Sequence, residues 1–140
     1  MPSDPLQNLV NAKQLKVEPP DRKEFEKLVR SGRVRLVDAR RRDNSWESRF
    51  DLAYNAAHAL SLAALRRLGY RSENRYVVFQ CLAHTVDLAA GDWRVLALAH
   101  ERRNEAEYGG EYSVDERLLA EVIRAAELVL AKLEQAGSPK

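Results

Sequence analysis

The sequence predicts an all-α protein, an up-and-down four-helix bundle preceded by an extended N-terminal arm. Three observations predict it. Apolar residues recur at helical three- and four-residue spacing through most of the chain, capping signatures stand ahead of the periodic runs, and Gly and Pro cluster outside them. At 140 residues the chain can bury a core without staples, and a composition of 45% apolar and 31% charged residues is that of a globular domain. The expected organisation is an arm over residues 1–20, a helical domain over 21–136 and a short tail over 137–140.

Pro2, Pro5, Pro19 and Pro20 mark the arm, where Leu6 to Leu15 allows a turn or two of helix. Its Leu6, Leu9, Val10 and Leu15 need apolar cover, so the arm is expected to lie along the domain. Asp21 with Glu24 three residues on has the spacing of a capping box. The first helix of the domain is therefore expected from Asp21 to about Arg42, with a break or kink at Gly32, which costs about 1 kcal/mol relative to Ala. Asn44 with Glu47 repeats the capping pattern ahead of Ser45 to Leu68, a run without Gly or Pro. On that second helix Phe50, Tyr54, Ala57, Ser61, Leu65 and Leu68 form one face, and Leu52, Ala56, Leu60 and Ala63 cover much of the rest, so it must be buried on several sides.

Gly69 ends this helix. Tyr76 to Leu88 is expected to be helical, since its apolar run has no partner strand elsewhere. Gly91 and Asp92 predict a break before a helix from Trp93 to about Glu107, which Gly109 and Gly110 end. Ser113 and Glu116 form a capping box for the last helix, where Leu118, Leu119, Val122, Ile123, Ala126, Val129, Leu130 and Leu133 stand at core spacing. Short connections between long amphipathic helices make neighbours antiparallel.

The net charge of +2 is too small to imply a nucleic-acid partner by itself. Its distribution is uneven. Arg30, Arg33, Arg35, Arg40, Arg41 and Arg42 crowd one stretch, and Glu111 to Glu134 leans acidic, which fits either a basic partner-facing surface or a solvated face. Cys81 is the only cysteine, so no intrachain disulfide can form, a reducing compartment is expected and the side chain is read as a small core residue. No apolar run approaches a membrane span, and a cytoplasmic location is the expectation.

The chemistry concentrates where the helix from Trp93 changes character. Trp93, Leu96 and Ala97 begin a core face that continues through His100, Asn104, Glu107 and Tyr108, with Arg103 on its flank. Buried without partners, such groups cost on the order of 1–3 kcal/mol each, so they either emerge into solvent or line a polar cleft. Asp51, Asn55 and His58 make a matching stripe on the second helix, and the two stripes either face each other or remain separate edges. Arg103 offers a fork of donors for a phosphate or carboxylate, or a structural pair for Asp51 or Glu107. His58 reads as a hydrogen-bonded core histidine more readily than as a ligand. Cys81 and His84 imitate half of a zinc site but lack a second pair, and no metal or other cofactor is expected. Trp46, Trp93, Tyr76 and Phe79 stand at core-like positions, which leaves no exposed platform for stacking bases.

The string from His100 through Arg102, Arg103 and Asn104 to Tyr108 resembles the signature of the HEPN superfamily. The resemblance implies a compact helical bundle over roughly residues 21–135, often dimeric, with an Arg-Asn pair near the end of a bundle helix. It implies either an endoribonuclease toxin or a non-catalytic partner of a small nucleotidyltransferase. Family ribonucleases place a His four to six residues after the motif Arg, and neither Arg102 nor Arg103 has one there. Tyr108 stands five positions beyond Arg103 and, with a phenol pKa near 10, is a poor base at neutral pH.

The leading expectation is therefore a HEPN-like, non-catalytic homodimeric module that binds a nucleotide, an RNA phosphate or a partner nucleotidyltransferase, as in a toxin–antitoxin pair. A metal-independent endoribonuclease using Arg103 with His100 or His58 is the second reading. The third is a structural dimerisation domain whose polar patch fixes packing register.

Overall fold

The computed structural model describes residues 4–109 and 115–139, with the side chains of 106–109 excepted. The described chain is all-α apart from one two-residue ladder. In order, the elements are α1 (Pro5–Asn11), β1 (Lys16–Val17), α2 (Arg22–Ala39), α3 (Trp46–Arg67), β2 (Tyr70–Arg71), α4 (Arg75–Gln80), α5 (Leu82–Thr85), α6 (Ala90–Gly109) and α7 (Glu116–Ala136). α3 packs most extensively on α2 and α7, and α6 packs on α4 and α7. Among the described residues, no helix is long and apolar enough to cross a membrane.

α3 forms where the sequence expects a helix buried on several sides. Phe50, Ala53, Tyr54, Ala57, Leu60, Ser61, Ala64 and Leu65 are all buried, and Ser61 satisfies its hydroxyl on the Ala57 carbonyl one turn back. Its cap differs from expectation: Ser45 accepts from the Ser48 amide, and Asn44 instead donates to the Asp38 carbonyl. Asp21 caps α2 as its spacing implies, accepting from the Glu24 amide. At α7 the cap is Asp115, which accepts from Leu118, and Ser113 lies outside the described residues.

Three further boundaries depart from expectation. α2 ends at Ala39 rather than near Arg42. The 76–88 stretch divides at Cys81 into α4 and α5. α6 begins at Ala90, so Gly91 lies inside its first turn and marks no break.

Nor does Gly32 interrupt α2. It marks the close approach of α2 to α3, where an added Cβ would stand 2.4 Å from Leu60 Cγ and 2.6 Å from Leu60 Cδ2. The missing side chain lets the two helices pack, which offsets the backbone cost of glycine.

The arm is built into the fold. Leu6 and Leu15 are buried with Leu65, Val77, Val78 and Cys81 in a second apolar cluster. β1 pairs antiparallel with β2, Lys16 opposite Arg71 and Val17 opposite Tyr70. This ladder was not expected, because two residues per strand carry no alternation to read. Gly69, at φ 89°, turns the chain out of α3, and its carbonyl accepts from the Glu18 amide at 2.9 Å.

Arg66 fastens this corner while only 1% exposed. Its Nε donates to Glu24 at 2.6 Å, and its two terminal nitrogens donate to the carbonyls of Glu18 at 2.9 Å and Pro19 at 2.7 Å. Arg71 bridges the same acids, bonding Glu18 at 2.9 Å and the other oxygen of Glu24. Glu24, which the sequence suggests as the return half of a capping box, is spent on the two arginines.

Two outcomes follow. Gly32→Ala is expected to destabilise the protein by about 1–3 kcal/mol in urea unfolding despite its better helix propensity, and Leu60→Val is expected to recover part of the loss; a net gain in stability for Gly32→Ala would refute the close-approach account. The Arg66 and Arg71 hydrogen bonds hold Glu24 below its usual 4.5, so this contribution is complete above that pH and is lost as pH falls through the lowered value. Glu24→Gln is expected to cost about 1–3 kcal/mol at neutral pH and to reduce the acid sensitivity of the melting temperature.

Candidate functional site

Three helices converge on one cluster. α3 contributes Tyr54 and His58 at i and i+4, α4 contributes Arg75 and Phe79 at the same spacing, and α6 contributes His100, Arg103 and Asn104. Each pair lies along one helical face.

The centre is Tyr54, whose ring is buried and whose hydroxyl lies 2.8 Å from His100 Nδ1. The two rings stack at 6.1 Å with 12° between planes. Phe79 fills the space beside them, edge-on to Tyr54 at 6.0 Å and to His58 at 6.2 Å. Over the Tyr54 ring stand two guanidiniums, Arg75 with Cζ 5.5 Å from the centroid and Arg103 at 5.2 Å. Arg75 Nη1 is buried and has no hydrogen-bond partner among the described residues.

His100 is held at both ring nitrogens, by Tyr54 at Nδ1 and by the Asn104 amide nitrogen 3.3 Å from Nε2. With that amide as donor, Nε2 accepts, Nδ1 carries the proton, and the ring is a neutral strut. Burial lowers its pKa, and the charges of Arg75 and Arg103 lower it further. His58 is pushed down to about 4, first by burial and then by Arg75 and His100. At neutral pH both imidazoles are uncharged and the positive charge sits on the guanidiniums. A group bringing negative charge and several acceptor oxygens would satisfy Arg75 and relieve this crowding of donors.

The structure brings together four of the residues expected at the site: His58, His100, Arg103 and Asn104. It leaves out Asn55. Asn55 spends its amide on the Asp51 backbone carbonyl one turn back at 2.9 Å, which turns its side chain along its own helix. The side chains of Glu107 and Tyr108 lie outside those described. No hydrogen bond to the His58 ring forms among the described residues, a correction to its reading as a hydrogen-bonded core histidine.

Sequence reasoning missed Arg75, Phe79 and the polar use of Tyr54. The signal for Arg75 was faint, a cation four residues ahead of Phe79 at the start of an apolar run. Cys81 and His84 share no site, because Cys81 is buried, with its thiol pushed up to about 11 by burial, and His84 is exposed.

Three of the six arginines in the arginine-rich stretch are paired with acids of the same chain. Arg33 pairs with Glu134 at 3.0 Å and Arg40 with Glu127 at 2.8 Å, linking α2 to the acidic α7, and Arg41 pairs with Asp43 at 2.9 Å. Compared with known proteins, the chain matches no family model, and no curated protein matches its sequence.

The burial of neutral His58 has a measurable consequence. Its folded pKa lies below the unfolded value, so the unfolded chain takes up a proton first and stability should fall as pH drops from about 6.5 toward 4. NMR titration is expected to show the His58 ring neutral down to about pH 4. A midpoint near 6.5 would mean that the ring stands in water and not against Arg75.

Proposed function

We propose that the protein is a HEPN-like four-helix module that binds the phosphate of a nucleotide or RNA, with Arg75 and Arg103 as its charged contacts. One observation carries this reading: Arg75 holds a buried guanidinium nitrogen without a partner, on the same aromatic ring as Arg103 and beside two neutral histidines. Buried donors of a guanidinium are costly unless paired, and a phosphate supplies the oxygens in the geometry a guanidinium fork fits. The neutral His58 ring, which keeps no described hydrogen bond, can donate or accept without adding to the charge.

The engagement of His100 supports a binding role over a catalytic one. Its two nitrogens are occupied by Tyr54 and Asn104, so it supplies position rather than proton transfer. His58 supports the second reading, a metal-independent endoribonuclease, because its ring keeps no described hydrogen bond and an arriving phosphate would raise its pKa toward the working range. A homodimer and a nucleotidyltransferase partner belong to the proposal through the resemblance of the His100–Tyr108 string.

Calorimetric titration with inorganic phosphate, AMP and a short RNA at two salt concentrations tests it. Arg75→Ala and Arg103→Ala are each expected to weaken binding by about tenfold or more, and binding should weaken with salt. Binding that ignores both substitutions would remove this reading. RNA cleavage abolished by His58→Gln and retained in His100→Gln would favour the enzyme.

A further inference from the structure

The seam between α4 and α6 carries a second feature that the arginine cluster does not use. The buried residues of α4 are Val77, Val78 and Phe79, which turns Tyr76 outward, 46% exposed. Its ring meets Trp93 edge-to-face, with centroids 6.3 Å apart and 87° between planes. Arg94 lies over the Trp93 ring with Cζ 5.6 Å from its centroid. The expectation that Tyr76 is a core residue is thus corrected, since it is exposed, whereas Trp93 is partly buried and packs against the main core. A half-exposed tyrosine next to a tryptophan that carries an arginine over its ring offers aromatic surface of the kind on which a planar base stacks.

Placement ties this platform to the arginine cluster. Tyr76 directly follows Arg75 in α4. Trp93 precedes His100 by seven residues, two helical turns, so both lie on one face of α6 about 10 Å apart along the axis. That separation suits one ligand with a phosphate at one end and a base at the other. The acid nearest in sequence, Asp92, is directed to Arg124 at 3.9 Å.

We propose that Tyr76, Trp93 and Arg94 form a base-stacking site for the nucleotide whose phosphate Arg75 and Arg103 hold. The proposal rests on the phosphate reading above and adds that the ligand carries an unpaired nucleobase, on a free nucleotide or on a single strand.

The test uses the full chain with Trp46→Phe, so that Trp93 alone reports fluorescence. Four ligands are titrated: an eight-nucleotide oligo(A), an abasic strand of the same length, AMP and inorganic phosphate. Oligo(A) is expected to quench Trp93 and to bind about tenfold or more tightly than the abasic strand, in line with the usual contribution of one stacked base. Tyr76→Ala should remove most of that advantage and leave abasic binding unchanged, and Tyr76→Phe should keep it. Arg75→Ala should weaken both strands together. AMP quenching as strongly as oligo(A) would identify a free nucleotide as sufficient, and quenching by the oligomer alone would identify a strand.

Equal affinity for base-bearing and abasic strands, both dependent on Arg75, would overturn the stacking site and leave the phosphate reading standing. Absence of binding by all four ligands would overturn both. Because Tyr76 is largely at the surface, circular dichroism of Tyr76→Ala is expected to match the parent.

Discussion

A guanidinium withdrawn from water at Arg66 sets the geometry of one end of the molecule. Such a cation persists in an interior only when its donors find acceptors held in place, and here they are the carboxylates of Glu18 and Glu24 and the carbonyls of Glu18 and Pro19. These groups come from the end of the arm and the start of α2, and the arginine belongs to the end of α3. Satisfying one side chain therefore fixes three segments against one another. β2 follows directly, paired to β1 and tied by Arg71 to the same two acids, and α4 starts four residues later. The position of Arg75 is thus inherited from Arg66 through a short, constrained connection.

The contrast between these two arginines underlies the proposed function. Arg66 has its charge answered twice over and is closed to any ligand. Arg75 has aromatic surface beneath it, two imidazoles near it and a buried nitrogen with no described acceptor. A fold that satisfies one arginine this thoroughly did not lack the acids to satisfy another, since Glu residues line α2 and α7. A buried Arg75 donor without a described acceptor costs stability, and the proposed phosphate is the kind of group that would offset that cost.

The helices were legible because amphipathic spacing and Gly or Pro punctuation act locally, and α3 matches its expected span almost residue for residue. Boundaries set by tertiary contact were not legible. Nothing in the sequence near Gly32 announces that Leu60 comes to lie against it, and the β1–β2 ladder depends on residues more than fifty positions apart. The same divide runs through the candidate site. His100, Arg103 and Asn104 stood out because they interrupt a core face within one helix. Arg75 did not, since its meaning comes from facing Tyr54 on another helix, and Asn55 shared His58's stripe but spends its amide on its own helix.

The weak net charge conceals how the charges are used. On the α2 and α7 side, arginines and glutamates neutralise each other across the helix pair through exposed contacts that contribute little to stability. Where α3, α4 and α6 meet, burial strips the two histidines of their protons and concentrates what charge remains on guanidiniums, which keep theirs at any physiological pH. A surface of solvated arginines attracts anions loosely and loses them to salt. Guanidiniums set over an aromatic ring in a partly buried cluster act in a medium that screens them less than bulk water does, and the proposed anion binding depends on that local environment rather than on the whole-molecule charge.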